Sequence, residues 1–301
     1  MRRQRFVWYF IIFCFILFNL STYGGSQVAE KPKIVISVDL EGVAHVVGHG
    51  SGPGRYYYDE ARELVTEEIN AAIEGCLEAG AGEIVVADNH GNSLAVIPEK
   101  LHEAAKLARG WPRPLDLSTG IDENTAGLIL LGFHAKEGTP QANTPHTLLG
   151  KFDVIINGIY VSEVLFSAAL AGEFNVPVIM VTGDQHVDQE AKKYFGQVET
   201  VVTKESFAYY SAQSPHPKVI RQQIKEKSKR AVQRLKEFKP FRFEPPIKME
   251  FIYQKAFDAE ALSYFPWFKR KGGKTVIVEL KSMKEACNII NGLAALSMTD
   301  K

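Results

Sequence analysis

The chain has 301 residues, 46% of them hydrophobic and 23% charged, an ordinary globular composition with material for a sizeable core. Lysine plus arginine equals aspartate plus glutamate at 35 each, so no global positive field exists to draw in nucleic acid. A neutral surface of this kind fits a protein that acts on something small.

Arg2, Arg3 and Arg5 precede an apolar run over residues 6–18, and Asn19, Ser21, Thr22, Gly24, Gly25 and Ser26 follow it. A charged, then hydrophobic, then small-residue order reads as an export signal over residues 1–26. The run falls short of the roughly 20 residues that span a bilayer as a permanent helix, so an uncleaved anchor is the alternative. The expectation is a periplasmic or extracellular protein, touching a membrane only through this segment if it is retained. Cleavage would leave Cys76 and Cys287, both in apolar helix-like stretches. They read as buried thiols, too far apart in sequence to be a metal-ligand pair, although export would permit a bridge between them.

Strands and helices then alternate. Residues 34–38 form a short apolar run, and residues 59–79 carry helical periodicity through Ala61, Leu64, Val65, Ile69, Ala72 and Ile73. Gly80 and Gly82 end that helix. Residues 84–87 and 128–131 are further strands, and residues 154–161 a hairpin turning at Asn157-Gly158. Ser162 caps a helix running to about Phe174, and residues 177–181 form another buried strand. This order predicts a three-layer α/β domain with a largely parallel central sheet over residues 33–210. A charged amphipathic helix over residues 219–238 leads to a proline-marked linker at Pro240, Pro245 and Pro246. Strand, helix, strand, helix over residues 248–296 then predicts a smaller C-terminal α+β unit within residues 211–301. The basic run at residues 269–274 reads as a solvated turn.

Chemistry concentrates at the strand ends. Asp39 and Glu41, two apart at the end of a strand, project the same way and repel unless a cation neutralises them. His90 directly follows the strand at residues 84–87 by way of Asp88-Asn89, and His134 follows the one at 128–131 by way of Gly132-Phe133. In open α/β sheets the functional crevice lies beyond the carboxyl ends of the strands, where these four would converge. Mixed histidine and carboxylate ligation suits zinc, with manganese or cobalt possible in the same geometry. Read alone, Glu163 is an acid favoured by a helix dipole, and His146 a residue of a polar loop. Lys204 reads as a solvated lysine, and Asp184 and Asp88 each as holding a substrate amino group or orienting a ligand histidine, the latter favoured for Asp88.

Five ordered stretches, Ser37-Val38-Asp39-Leu40-Glu41-Gly42, Thr66-Glu67-Glu68-Ile69-Asn70, Asp88-Asn89-His90, Leu131-Gly132-Phe133-His134-Ala135 and Val178-Ile179-Met180-Val181 with Gly183-Asp184, make the chain resemble the M55 family of D-aminopeptidases. The resemblance implies a two-zinc site bridged by Asp39, with Glu41 and His134 toward one ion and His90 and Glu163 toward the other. It implies that His146 is the catalytic histidine, that a metal-activated water cleaves short peptides, and that the subunits form a homo-oligomer. Pro145 departs from the family's small residue before that histidine. Two other readings stand beside it. One is a two-metal phosphoesterase, although residues 48–54 lack the lysine of a phosphate-cradling loop. The other is a non-catalytic exported binding protein on the same fold.

Overall fold

Apolar runs of six to nine residues, bounded by glycine or charge, are strands buried on both faces, and longer stretches of helical period are the helices around them. The structure, a computed structural model, describes residues 31–48, 52 and 54–298. The expected export signal lies outside the described residues. In chain order the elements are β1 (Lys33–Val38), α1 (Tyr58–Glu78), β2 (Glu83–Asp88), β3 (Ala105–Ala108), β4 (Thr125–Phe133), β5 (Phe152–Ile156), β6 (Ile159–Tyr160) and α2 (Glu163–Gly172). Then come β7 (Val178–Asp184), α3 (Gln185–Phe195), β8 (Glu199–Ala208), β9 (Ser211–Gln213) and α4 (Pro217–Gln233). The last are β10 (Ile247–Tyr253), α5 (Ala256–Ser263), β11 (Lys269–Arg270), β12 (Thr275–Leu280) and α6 (Met283–Met298).

Seven strands form the central sheet in the order β3-β2-β1-β4-β7-β8-β9. Every pairing is parallel except β8 with β9, an antiparallel edge. Strand order reverses between β1 and β4, which opens a crevice at their carboxyl ends. On one face, Val65, Ile69 and Ile73 of α1 and Ile220 and Ile224 of α4 pack against Ile34 and Ile36. On the other, Val164 and Ala168 of α2 and Val187 and Ala191 of α3 pack against Val35, Leu128 and Leu130. The α/β class and the largely parallel sheet stand as the sequence predicts.

All ten residues of α2 are buried. A helix apolar on every side must be covered on every side. Its outer face presents Leu165, Phe166 and Ala169 to Phe152, Met249 and Phe251 of a second, antiparallel sheet ordered β11-β12-β10-β5-β6. Truncating Phe166 to alanine would cost about 3–5 kcal/mol. The hairpin turns at Asn157 and Gly158, with φ of 49° and 83°. Residues 211–301 contribute to both layers: α4 rejoins α1, and β10 pairs with β5. A lone two-stranded hairpin is marginal in water, so β5 and β6 gain stability from β10 and β12.

The sequence did not predict α3, whose buried stripe is only Val187 and Ala191. The basic segment is in part an edge strand, β11, and Lys271 pairs with Glu250 at 2.7 Å. Cys76 and Cys287 are free thiols in separate core clusters, so the bridge that export would permit is not formed. Among the described residues no helix is long and apolar enough to cross a membrane.

Candidate metal centre

Asp39 and Glu41 follow β1, His90 follows β2 and His134 follows β4, three neighbouring strand ends. Backbone packing fixes their approach. The Gly42 N–H donates to the Gly132 carbonyl at 2.7 Å, and the Asp39 N–H to the Leu131 carbonyl at 2.9 Å. A Cβ at Gly42 would sit 1.8 Å from the Phe133 carbonyl oxygen, and one at Gly132, where φ is +75°, 2.3 Å from that of Asp39. Only glycine permits two loops to touch this closely. Glu163 opens α2, where the Ser162 hydroxyl accepts the Leu165 N–H at 3.1 Å. Its carboxylate accepts the Leu148 N–H at 2.7 Å. His146 arrives from the loop between β4 and β5, its ring stacked on that of His134 at 4.0 Å.

The structure thus brings together all six residues read from the sequence. His90 Nδ1 lies 3.2 Å from Asp39 Oδ1 and 2.9 Å from Glu41 Oε2. His134 Nε2 lies 3.3 Å from Asp39 Oδ2 and 3.5 Å from Glu163 Oε1. His146 Nε2 is 3.8 Å from Glu163 Oε1. These contacts place His90 beside Glu41 and His134 beside Glu163, with Asp39 between them. Ligand atoms of Asp39, Glu41 and His134 also fall within 4.8 Å of one another.

Hydrogen bonding sets the tautomers. His134 Nδ1 lies 2.9 Å from the Ala135 carbonyl and His146 Nδ1 3.0 Å from that of Thr144. A carbonyl only accepts, so each Nδ1 carries the proton and each Nε2 faces the carboxylates. His134 Nε2 and Asp39 Oδ2 are buried and have no hydrogen-bond partner among the described residues. Nε2 aimed between two carboxylates calls for positive charge there, supplied by a proton on the ring or by a cation between the groups. Burial opposes charge throughout, yet the cluster overrides it. Burial would raise Asp39, but the neighbouring His134 and His90 imidazoles hold it well below the carboxylate range. Burial would lower His90, but Glu41 and Asp39 raise it well above the usual imidazole value. Glu163 and Asp39 do the same to His134. Positive charge is what the cluster demands, and nitrogen and oxygen donors in this mixture fit zinc.

Two other readings change. Lys204 is not solvated: it is buried on β8 and donates to the backbone carbonyls of Glu41 and Val46. Asp184 caps α3, its Oδ1 accepting the His186 and Val187 N–H groups at 3.0 and 3.1 Å, and its Oδ2 the Ser206 hydroxyl. That leaves it unsuited to a substrate amine. Asp88 spends Oδ2 on the Val96 N–H at 2.7 Å, pinning the segment that follows His90. A cavity of about 450 Å³ opens over the cluster, lined also by Trp111, Asp116, Leu117, Leu148, Leu149 and Lys151, and by Ile290 and Ala294 of α6. The loop bearing Asp116 gave no signal in the sequence, because neither periodicity nor recurrence marks it.

Residues 33–292 match the family described as Peptidase M55, D-aminopeptidase. The chain belongs to this family. It is 29% identical over 270 residues to a D-aminopeptidase of Bacillus subtilis strain 168, covering 88% of this chain and 98% of that protein. Among solved structures it resembles the Zn-dependent D-aminopeptidase DppA from Bacillus subtilis, described as a self-compartmentalizing protease, with a TM-score of 0.85 and 28% identity. That match covers 88% of this chain and 98% of the other. Membership makes the chain a peptide hydrolase of the metallo-aminopeptidase kind.

Proposed function

We propose that this M55 chain is an exported, zinc-dependent aminopeptidase that removes amino-terminal D-residues from short peptides. The observation that carries the reading is that His134 Nε2, buried without a hydrogen-bond partner among the described residues, lies between Asp39 Oδ2 and Glu163 Oε1 at 3.3 and 3.5 Å. Asp39, Glu41, His90, His134 and Glu163 are the residues that would hold zinc, and Asp39, with an oxygen near each histidine, is the one that would be shared if two ions bind. Bound zinc supplies Lewis acidity, polarising the scissile carbonyl and activating water for attack. His146, partly exposed at the cavity, holds a proton on Nδ1 through the Thr144 carbonyl and keeps Nε2 toward the substrate space. Protonated, it donates to the leaving amine or stabilises the developing oxyanion. The charged, apolar and small-residue order over residues 1–26 supports export, and the self-compartmentalizing relative supports assembly into a homo-oligomer.

Purified protein, stripped with a chelator and reloaded with zinc, should hydrolyse D-Ala-D-Ala faster than L-Ala-L-Ala and leave a generic phosphate ester intact. Turnover of the phosphate ester alone, or of nothing with zinc restored, would overturn the reading.

A further inference from the structure

The cavity over the metal cluster contains one carboxylate that the cluster does not use. Asp116 lies in the segment between β3 and β4, where Leu115 and Asp116 both adopt left-handed backbone, with φ of 62° and 38°. Consecutive non-glycine residues in this region are rare, and such outliers gather at ligand-binding sites. The segment is built to hold them. The Ser37 hydroxyl donates to the Leu117 carbonyl at 2.6 Å, the Ser118 hydroxyl to the Ser167 carbonyl at 3.2 Å, and the Thr119 hydroxyl to the Asp116 carbonyl at 2.7 Å.

The Asp116 carboxylate itself accepts no hydrogen bond and forms no ion pair within 4 Å among the described residues. The nearby Arg113 guanidinium gives its two terminal nitrogens to the Ala108 carbonyl at 3.2 Å and the Asn89 side chain at 2.5 Å, and its Nε has no hydrogen-bond partner among the described residues. Burial raises the Asp116 carboxyl to about 6, against the pull of Arg113. A carboxylate held in a cavity without a partner gains most from an incoming cation. Lys151, the cavity's lysine, is exposed and leaves that role open.

We propose that Asp116 is a specificity-determining residue that binds the free α-ammonium of the substrate's terminal residue, beside the metal cluster. The proposal rests on the aminopeptidase reading, since an exopeptidase must recognise that group. It replaces Asp184, whose oxygens are consumed in capping α3. Leu148, Leu149 and Ile290 on the same cavity would receive the apolar part of a small residue.

The test uses the full chain and Asp116→Asn, which keeps the shape and tolerates left-handed backbone. Calorimetric binding of D-alaninamide to the zinc-stripped proteins is expected to weaken roughly tenfold or more in Asp116→Asn, with unchanged melting temperature. In the zinc-loaded enzyme, KM for D-Ala-D-Ala should rise by a similar factor while kcat stays within about twofold. N-acetyl-lysinamide, which carries only a side-chain ammonium, is the second probe. Equal affinity of both proteins for D-alaninamide would overturn the proposal, as would a loss confined to N-acetyl-lysinamide. A wild-type protein that binds D-alaninamide through Asp116 but cleaves no peptide would instead remove the aminopeptidase reading and leave this site standing.

Discussion

The Lys204 ammonium donates to the backbone carbonyl of Glu41 at 2.5 Å, tying strand β8 to the turn that carries two of the candidate ligands. A second bond, to the Val46 carbonyl, closes the turn from its other end. Burial lowers the amine to about 8, and the charge of Glu68 opposes that shift. Lys204→Met should keep the side-chain volume but strand two carbonyls, each costing about 1–3 kcal/mol when left unsatisfied. The variant is therefore expected to melt earlier and to bind zinc more weakly than wild type, read by thermal denaturation and competition with a chromophoric chelator. Unchanged zinc affinity would mean that the turn holds its shape without the lysine.

Gly42→Ala tests the contact between the two ligand-bearing loops. The added Cβ would meet the Phe133 carbonyl oxygen at 1.8 Å, and backbone rather than a flexible side chain would have to yield. A loss above about 4 kcal/mol is expected, in the tail reserved for core steric conflict, with activity lost alongside. Gly273→Ala is the control, because a Cβ there meets nothing within 4 Å. Denaturant unfolding of both variants decides the matter, and comparable stability would refute the tight approach.

Much of this site was legible because chemistry and period coincide. Asp39, His90 and His134 each follow an apolar run that could only be a buried parallel strand, and parallel strands share one functional end. Glu163 and His146 have no such marker. One lies at the start of a helix where an acid is ordinary, the other in a polar loop, and only the family resemblance singled them out. Lys204 was misread because β8 alternates buried and exposed residues at the sheet's side, and nothing local says that two carbonyls await its ammonium. Asp184 was misread with α3, since a helix burying only Val187 and Ala191 leaves almost no hydrophobic period to detect.

Glu68 predicts a pH dependence of stability. Burial in the α1 core raises its carboxyl from 4.5 to about 7, opposed by the Ala44 N–H it accepts at 3.0 Å. Below pH 4.5 the group is protonated in both folded and unfolded chains and contributes no difference. As pH rises toward 7 the unfolded carboxyl ionises first, so this group's contribution destabilises the fold progressively and then levels off. The full effect is on the order of 3 kcal/mol. Glu68→Gln keeps an acceptor for Ala44 and should remove that slope, gaining stability relative to wild type near neutrality but not near pH 4. Urea unfolding across this range measures it, and parallel curves for the two proteins would rule out a raised carboxyl.

His146 and Asp39 should separate catalysis from metal binding. His146 touches Glu163 only at 3.8 Å and stacks on His134, so His146→Ala removes a proton donor at the cavity while the His90–Glu41 and His134–Glu163 contacts persist. Zinc content by atomic emission should stay near the wild-type level, with kcat down about 10²–10⁴-fold, the usual contribution of a positioned acid or base. Asp39→Ala deletes the carboxylate shared by both sides of the cluster and should lose metal and turnover together. It also leaves His90 and His134 with less opposing charge, so their raised protonation should fall, visible as imidazole resonances titrating at lower pH in the zinc-free variant. If His146→Ala turns over at the wild-type rate, the proton reaches the leaving amine from another group. If Asp39→Ala keeps its zinc, the cluster is held together from Glu41, His90, His134 and Glu163 alone.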